Sequence, residues 1–250
     1  MKDEIKDKIL EAKDYADTKY NIPYVLKLNK GEQFFVYFGI EHSNDPKRDQ
    51  LKELETEYAE WIENAKANRV VVTEFAAPEE SGERDELIRK HGEAGLMKYL
   101  SEKDSVEIMS VEPSPSELTD YLIEDNQYEK EDLVLWIIAN SIFYTKDVDG
   151  VIDSIDKLNE KFGVDKDSEY YSNRFIEITD EKLDIKSAKK AQNPFSNRTL
   201  LNRIGSYINS VKDVLVAERL LKLLDSGKSV FAVYGHNHVF AQKAVFEKFC

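Results

Sequence analysis

Cysteine and long apolar segments are scarce in this sequence, and its 35 basic residues are outnumbered by 49 acidic ones; each of these features argues against a class of protein. Cys250 is the only cysteine, so no disulfide forms within the chain and nothing points to an oxidising compartment. The net charge of −14 repels phosphates, which argues against a nucleic acid or an anionic membrane as partner. The longest apolar cluster, LVLWIIANSIF, is far too short to span a bilayer, and the charged opening lacks an apolar signal core. We therefore expect a soluble, cytoplasmic protein.

The apolar pattern predicts an α/β fold with a mainly parallel central sheet, flanked by helices and preceded by an N-terminal hairpin. Residues 23–29 alternate between apolar and polar side chains, a short turn follows, and residues 33–40 are apolar on both faces. Beyond this hairpin the periodicity predicts a helix over 46–67, a strand over 69–76, a helix over 85–103 with a break near Gly92, and a strand over 105–113. Strands that alternate with helices are typical of parallel sheets with crossover connections.

Residues 114–200 interrupt this alternation, because they read as helices and contain no convincing strand. We interpret them as a helical insertion or cap, with residues 187–199 as the loop that leads back to the sheet. A long helix over 200–227, a strand over 228–235 and a closing helix over 241–249 then resume the alternation. With 41% hydrophobic residues the chain can bury one sizeable core, so residues 1–250 are predicted to form a single α/β domain. The insertion helices either cover a site or pair with a second copy, which leaves a homo-oligomer open.

Two distant segments, QFFVYFGIEHS and SVFAVYGHNHV, share one pattern. Each is an apolar run that stops at a glycine, and each places a histidine three residues later, at His42 after Gly39 and at His238 after Gly235. We expect the two glycines to supply the backbone freedom that a sharp exit from a strand requires. Together the segments use three of the four histidines. The repetition predicts that the two strand ends meet at one polar or metal site.

Polar residues follow every predicted interior strand, at the edge where open α/β sheets bind ligands. The candidates are Glu41, His42, Glu74, Glu112, His236 and His238. Glu74 directly follows a run of β-branched residues, so its carboxylate needs a partner or must leave the core. Structural alternatives stay open: a hydrogen-bonded histidine, a helix-capping Glu74 and a solvated Glu112. His91 and Glu93 mark either a plain helix break or part of the site.

Two neutral imidazoles and one carboxylate form a ligand set that is typical of catalytic metal ions, and here it would comprise His42, Glu74 and His238. Zinc, manganese, cobalt and iron all accept such ligands. Glu41 or Glu112 would then act as general base or would orient an imidazole. Without metal, the same groups provide a His–Glu base that activates water. Both alternatives predict hydrolysis of a small-molecule or peptide substrate.

The chain resembles the superfamily that joins the TraB and TIKI proteins, the erythromycin-esterase-like proteins and the ChaN-like haem-binding proteins. The resemblance lies in the order of five segments: FGIEHSNDP, VVVTEF, HGEAGLMKYL, VEPS and residues 211–239. The resemblance implies metal-dependent peptidase activity in the TIKI branch and ester hydrolysis in the esterase branch. It assigns His42 and His238 to the two GxxH-type motifs and Glu74 to the strand-end glutamate.

Two positions bear on which branch the chain resembles. Lys212-Asp213 stands where the esterase branch has an arginine–aspartate pair, and lysine lacks the planar guanidinium that makes bidentate contacts. Arg219, two helical turns later, either takes the place of that arginine or is a helix-surface residue. His236 resembles the first member of a His–Asn pair in that branch, so either His236 or His238 faces the site.

Two functions without hydrolysis also stay open. The ChaN-like branch implies binding of haem or a metal complex, with YYSNRFIEI and the Trp136 helix as an apolar wall for a flat ligand. A catalytically silent or regulatory domain is the other alternative, since no serine, cysteine or threonine lies in a recognisable nucleophile motif.

Overall fold

The computed structural model describes residues 2–66 and 68–247, which leaves Cys250 and the last two residues of the predicted closing helix outside the described residues. The strands are β1 (Tyr24–Lys30), β2 (Gln33–Ile40), β3 (Arg69–Thr73), β4 (Glu107–Met109) and β5 (Ser229–Gly235). The helices are α1 (Lys2–Lys6), α2 (Ala12–Tyr15), α3 (Asp49–Asn64), α4 (Arg84–Asp104), α5 (Pro115–Asp125), α6 (Lys130–Thr145), α7 (Val148–Ile152), α8 (Ile155–Phe162), α9 (Ser168–Thr179), α10 (Ile185–Ala191), α11 (Leu200–Asp225) and α12 (His236–Phe246). The predicted α/β class is confirmed.

The five strands form one sheet in the order β1-β2-β5-β3-β4. β1 pairs with β2 antiparallel, which confirms the predicted hairpin, and the other three pairings are parallel. β5 is the last strand in the chain, yet it lies between β2 and β3. The two apolar runs that end in Gly39-Ile40 and Gly235 are therefore neighbours, with Gly39 opposite Tyr234 and Ile40 opposite Gly235.

The central strands β2, β5 and β3 are buried on both faces of the sheet: successive side chains point to opposite faces, and nearly all of them are buried. On one face Phe35 and Tyr37 of β2 pack in a cluster that includes residues of α11 and α12. On the other face Phe34, Val36 and Phe38 pack in a cluster that includes residues of α3 and α4. This burial explains why β2 reads as a continuous apolar run rather than an alternating one.

Three local features differ from the sequence-based expectations or refine them. The predicted break in α4 is confirmed at Gly92, whose φ of 59° and ψ of −138° are not helical. Residues 187–191, predicted as part of a loop, are helical in α10, because Asp184 and Ser187 form a capping box at its start. The closing helix begins at His236 rather than Ala241, because β5 passes into α12 with only Gly235 as the N-cap.

The backbone role that we expected for the two motif glycines is wrong. Gly39 and Gly235 both lack a positive φ, and the φ of Gly235 is −53°. Their lack of a Cβ serves close packing instead. A Cβ on Gly39 would lie 2.8 Å from the Cα of His236, and one on Gly235 would lie 2.9 Å from Nε2 of His42. Each glycine therefore leaves room for a histidine of the other motif.

The chain divides into two compact units, which we call the sheet unit and the helical unit. The sheet unit comprises the described parts of residues 1–10, 18–113 and 212–250, and the helical unit comprises residues 11–17 and 114–211. Residues 114–200, the predicted insertion, contain helices and no strand and fall within the helical unit. That the whole chain is a single domain stays a prediction. Over the described residues, none of the helices combines the length and apolar character that crossing a membrane requires.

Candidate active site at the carboxyl ends of the parallel strands

The central feature of the sheet unit is a glutamate that lies between two histidines. His42 follows β2, Glu74 follows β3 and His238 lies in the first turn of α12 after β5. Nε2 of His42 lies 3.4 Å from Oε2 of Glu74, and Nε2 of His238 lies 3.6 Å from Oε1 of the same carboxylate. Because the three strands are parallel neighbours, their carboxyl ends bring these side chains together at one edge of the sheet.

Glu74 is held as a buried carboxylate by its strand and by three positive or donor groups. Its backbone N–H donates to the carbonyl of Val233, and its Oε2 accepts from the N–H of Gly235 at 2.8 Å. Burial alone would raise the pKa of Glu74. The charges of His238 and Lys212, together with the Gly235 N–H, outweigh that effect and lower the pKa below its usual 4.5. Glu74 is therefore ionised at neutral pH.

His42 is oriented by a second buried glutamate, Glu93. Nδ1 of His42 lies 2.5 Å from Oε1 of Glu93, which follows the non-helical Gly92 in α4. A Cβ on Gly92 would lie 3.1 Å from the carbonyl oxygen of Ser43, so this kink lets α4 approach the loop that carries His42. The hydrogen bond to Glu93 is the main cause of a raised pKa at His42, and burial opposes it only partly. The bond places the Nδ1 proton toward Glu93 and leaves Nε2 facing Glu74.

His238 is oriented in the same way, by Asp213 of α11. Nδ1 of His238 lies 2.7 Å from Oδ1 of Asp213, which also accepts from Nε2 of Gln242 at 2.7 Å. The hydroxyl of Tyr37 donates to Oε1 of Gln242, so the chain of hydrogen bonds extends into the core. Burial acts to lower the pKa of His238, but the attraction and hydrogen bond of Asp213 outweigh it, and the pKa is raised.

Lys212 supplies a fixed positive charge between two carboxylates. Its Nζ lies 3.3 Å from Oε1 of Glu74 and 3.0 Å from Oε2 of Glu112. Burial would lower the pKa of Lys212, but Glu74 and Glu112 raise it on balance, so the ammonium stays charged. Burial is also the main cause of a raised pKa at Glu112, which Lys212 only partly offsets. Arg219 donates to the backbone carbonyls of Val111 and Glu112 and so fixes this segment.

Three candidate residues lie outside the cluster that Glu74 forms with its two histidines, Glu93, Lys212 and Glu112. Glu41 is exposed and pairs with Arg48. His91 pairs with Glu80 at 2.9 Å on the surface of α4. Nδ1 of His236 lies 2.9 Å from the hydroxyl of Tyr20, and burial lowers the pKa of this imidazole. Of the two histidines in the second motif, His238 is the one that faces Glu74.

The imidazole nitrogens and the carboxylate of His42, Glu74 and His238 are atoms that a divalent metal can bind, but a lysine ammonium lies beside them. Each imidazole has Nδ1 on a carboxylate and Nε2 turned inward, as metal-binding histidines do. Lys212, however, already places a cation beside Oε1 of Glu74, the oxygen that faces His238. Across residues 2–66 and 68–247, no set of three or more His, Cys, Asp or Glu side chains has the spacing of a metal site. A metal ion on His42, Glu74 and His238 stays a prediction, and the chemistry proposed below uses none.

Two aromatic rings of the predicted haem-binding wall are interior side chains, whereas Ile176 of the same segment is exposed and Trp136 is partly buried. Tyr171 and Phe175 of the YYSNRFIEI segment are buried within the helical unit. Tyr171 donates to Oδ1 of Asn159 at 2.6 Å, which is a contact between α9 and α8 of that unit. These two rings therefore contribute to the packing of the helices rather than to an open face. Haem binding stays a prediction that none of these contacts favours.

Gln242 and Tyr20 were not predicted as site residues, and Asp213 was named only through the resemblance, in the Lys212-Asp213 pair; Gln242 and Asp213 also carry a signal in the sequence itself. Gln242 lies four residues after His238 and hence on the same face of α12. Asp213 is a carboxylate in the apolar stretch VKDVLVA, where burial requires a partner. Tyr20 gives no such signal, because it reaches His236 from a segment without regular structure.

Comparison with known proteins adds no family to this geometry. The chain matches no protein-family model, and no curated protein or solved structure matches it.

Proposed function

We propose that this protein is a hydrolase in which His42, Glu74 and His238 activate water for attack on the carbonyl of an ester or peptide. One observation carries the proposal: two imidazoles each bind a buried carboxylate through Nδ1 and turn Nε2 toward the same ionised glutamate. A group oriented at one nitrogen and free at the other is the usual arrangement of a histidine that transfers protons.

His42 is the better placed of the two histidines to act as the base. Its side chain is 44% exposed, against 18% for His238, so water and substrate reach it more easily. The separations of 3.4 and 3.6 Å from Glu74 exceed an ordinary hydrogen bond, which leaves both Nε2 atoms available for a water. His42 in its neutral form takes a proton from that water at Nε2, while Glu93 holds the proton on Nδ1.

The remaining groups supply charge where the reaction develops it. The hydroxide attacks the carbonyl carbon, and the tetrahedral oxyanion forms near the positive charges of Lys212 and protonated His238. The leaving group then takes the proton back from His42. Glu74 lies between the two imidazoles and stabilises the cationic form of each. The resemblance to the esterase branch supports this order of events, with Lys212 in place of the arginine of that branch.

The proposal is tested on untagged protein with a panel of small esters and short peptides. Hydrolysis by the wild type should fall by about 10²–10⁴-fold in His42→Ala and in His238→Ala. Glu79→Gln, which changes an exposed glutamate five residues beyond Glu74, should leave the rate unchanged. Circular dichroism checks that all variants fold, and elemental mass spectrometry tests the predicted metal in the same samples. Absence of turnover in the wild type, or turnover that both histidine variants retain, would refute the proposal.

A further inference from the structure

An apolar, exposed segment follows Glu74 directly. The residues after β3 read Glu74-Phe75-Ala76-Ala77-Pro78, and two more glutamates come next. Phe75 is 52% exposed, which is the largest value for a large apolar side chain in the described part of the sheet unit. Ala76 is exposed as well. Phe75 and Ala76 thus form a small apolar surface directly beside the polar cluster around Glu74.

The Phe75 ring contacts the imidazole that we propose as the base. The centroids of the Phe75 and His42 rings lie 5.3 Å apart, with an angle of 64° between the planes. The backbone of the segment is fixed, because the hydroxyl of Thr73 donates to the carbonyl of Phe75 at 2.7 Å. The Phe75 ring thus lies next to the proposed base, and about half of the residue's surface faces solvent.

We infer that Phe75 forms an apolar subsite beside His42 and that the substrate is an uncharged ester or amide with an apolar group next to the scissile carbonyl. This inference rests on the proposed hydrolase function and adds the class of substrate. An apolar chain gains binding energy by covering the exposed face of the ring, because that face then leaves water.

The charges around the site favour an uncharged substrate over an anion. Four carboxyl groups, those of Glu74, Glu93, Glu112 and Asp213, lie in and around this cluster. They outnumber the positive charges of Lys212 and protonated His238, which lie among them. The net charge of −14 adds a repulsive field at longer range. A carboxylate at the far end of the substrate chain would therefore meet repulsion rather than an ion pair.

The test compares four esters: methyl acetate, methyl hexanoate, hexyl acetate and monomethyl adipate. In the wild type, kcat/KM for methyl hexanoate, hexyl acetate or both, the two neutral esters with a six-carbon chain, should exceed that for methyl acetate by about tenfold or more, a preference typical of apolar contacts. Phe75→Ala should remove that preference, and Phe75→Leu should keep most of it. Monomethyl adipate should react about tenfold more slowly than methyl hexanoate, because of the repulsion described above. Tyr144→Ala, which changes an aromatic residue that is 72% exposed in the helical unit, should alter none of these ratios.

A binding measurement separates this inference from the hydrolase proposal. Hexanamide and acetamide are titrated into the protein while the NMR signal of the His42 ring is followed. Hexanamide should shift that signal at lower concentration than acetamide in the wild type and in Phe75→Leu, but not in Phe75→Ala. This result without ester turnover would overturn the hydrolase proposal and leave the apolar subsite. Turnover without chain-length preference, or a preference that survives Phe75→Ala, would overturn the subsite and leave the hydrolase. Equal binding of both amides in the wild type would also overturn the subsite.

Discussion

The two histidine motifs share their spacing but not their surroundings. After β2 the chain enters a loop, and His42 lies in it with nearly half of its side chain exposed. After β5 the chain enters α12 at once, and His238 is fixed in the first turn of that helix with 18% of its side chain exposed. The same sequence interval therefore produces one accessible imidazole and one enclosed imidazole.

Their carboxylate partners differ in the same direction. Glu93 contacts His42 from the kink of α4, whereas Asp213 contacts His238 and is also bonded to Gln242, which Tyr37 holds in turn. The enclosed histidine thus belongs to a longer network of buried hydrogen bonds. The difference indicates a division of roles in which His42 moves protons and His238 supplies a fixed charge.

Glu74 faces both histidines, so its replacement should have the largest effect. Glu74→Gln removes the negative charge that stabilises both imidazolium forms, and we expect kcat/KM for esters to fall by about 10³-fold or more. The glutamine amide fills the same volume as the carboxylate, so the melting temperature should fall only slightly while kcat/KM falls strongly. Glu79→Gln is the matched control. A loss below tenfold would mean that the two histidines do not depend on a shared carboxylate.

The two glycines should separate stability from activity. A Cβ on Gly39 would meet backbone atoms, at 2.8 Å from Cα of His236 and 3.0 Å from the carbonyl oxygen of Tyr24. Gly39→Ala should therefore lower the free energy of unfolding by about 1–3 kcal/mol, measured by urea denaturation. A Cβ on Gly235 would instead meet Nε2 of His42 at 2.9 Å.

Gly235→Ala should accordingly displace the His42 ring, which is the end of a side chain and moves more easily than backbone. We expect kcat/KM to fall by about 10²-fold, because a displacement near 1 Å has that effect on a catalytic group. The loss of stability should be smaller than in Gly39→Ala. Equal stability losses in the two variants would show that the strand ends pack symmetrically after all.

The carboxylate partners of the histidines provide a smaller contrast. We expect Asp213→Asn and Glu93→Gln to lower kcat/KM by about 10–100-fold, which is typical for residues that orient a functional imidazole. Asp213→Asn should have the larger effect, because the new amide must also satisfy Gln242. Urea denaturation should show a matching order of stability losses. The reverse order in either measurement would contradict the view that His238 is the more rigidly held histidine.

The sequence predicts which side chains lie at the strand ends better than it predicts which residues orient the two histidines. The hairpin, the buried β5 and the break at Gly92 follow from local periodicity and from single glycines, and the convergence of His42, Glu74 and His238 follows from the geometry of parallel strands. Asp213 reaches His238 from a helix 25 residues earlier in the chain, and only the packing of α11 against the sheet brings them together. The start of α12 at His236 could not be predicted either, because the residues GHNH are equally compatible with a loop and with a helical turn. Contacts between distant elements are thus the part that periodicity cannot supply.

The smallest expected effect, a shift in the pH profile, decides which histidine is the base. A histidine base acts only when neutral, so kcat/KM should fall as the pH drops through its pKa. Both imidazoles have a pKa above the usual 6.5, His42 because of its hydrogen bond to Glu93 and His238 because Asp213 outweighs burial. If His42 is the base, Glu93→Gln lowers the pKa of His42 and moves the acid limb to lower pH, and Asp213→Asn leaves the midpoint in place. The measurement is kcat/KM for one neutral ester across the acid limb in the wild type and both variants. A midpoint that follows Asp213→Asn instead would reverse the roles and make the enclosed histidine the proton acceptor.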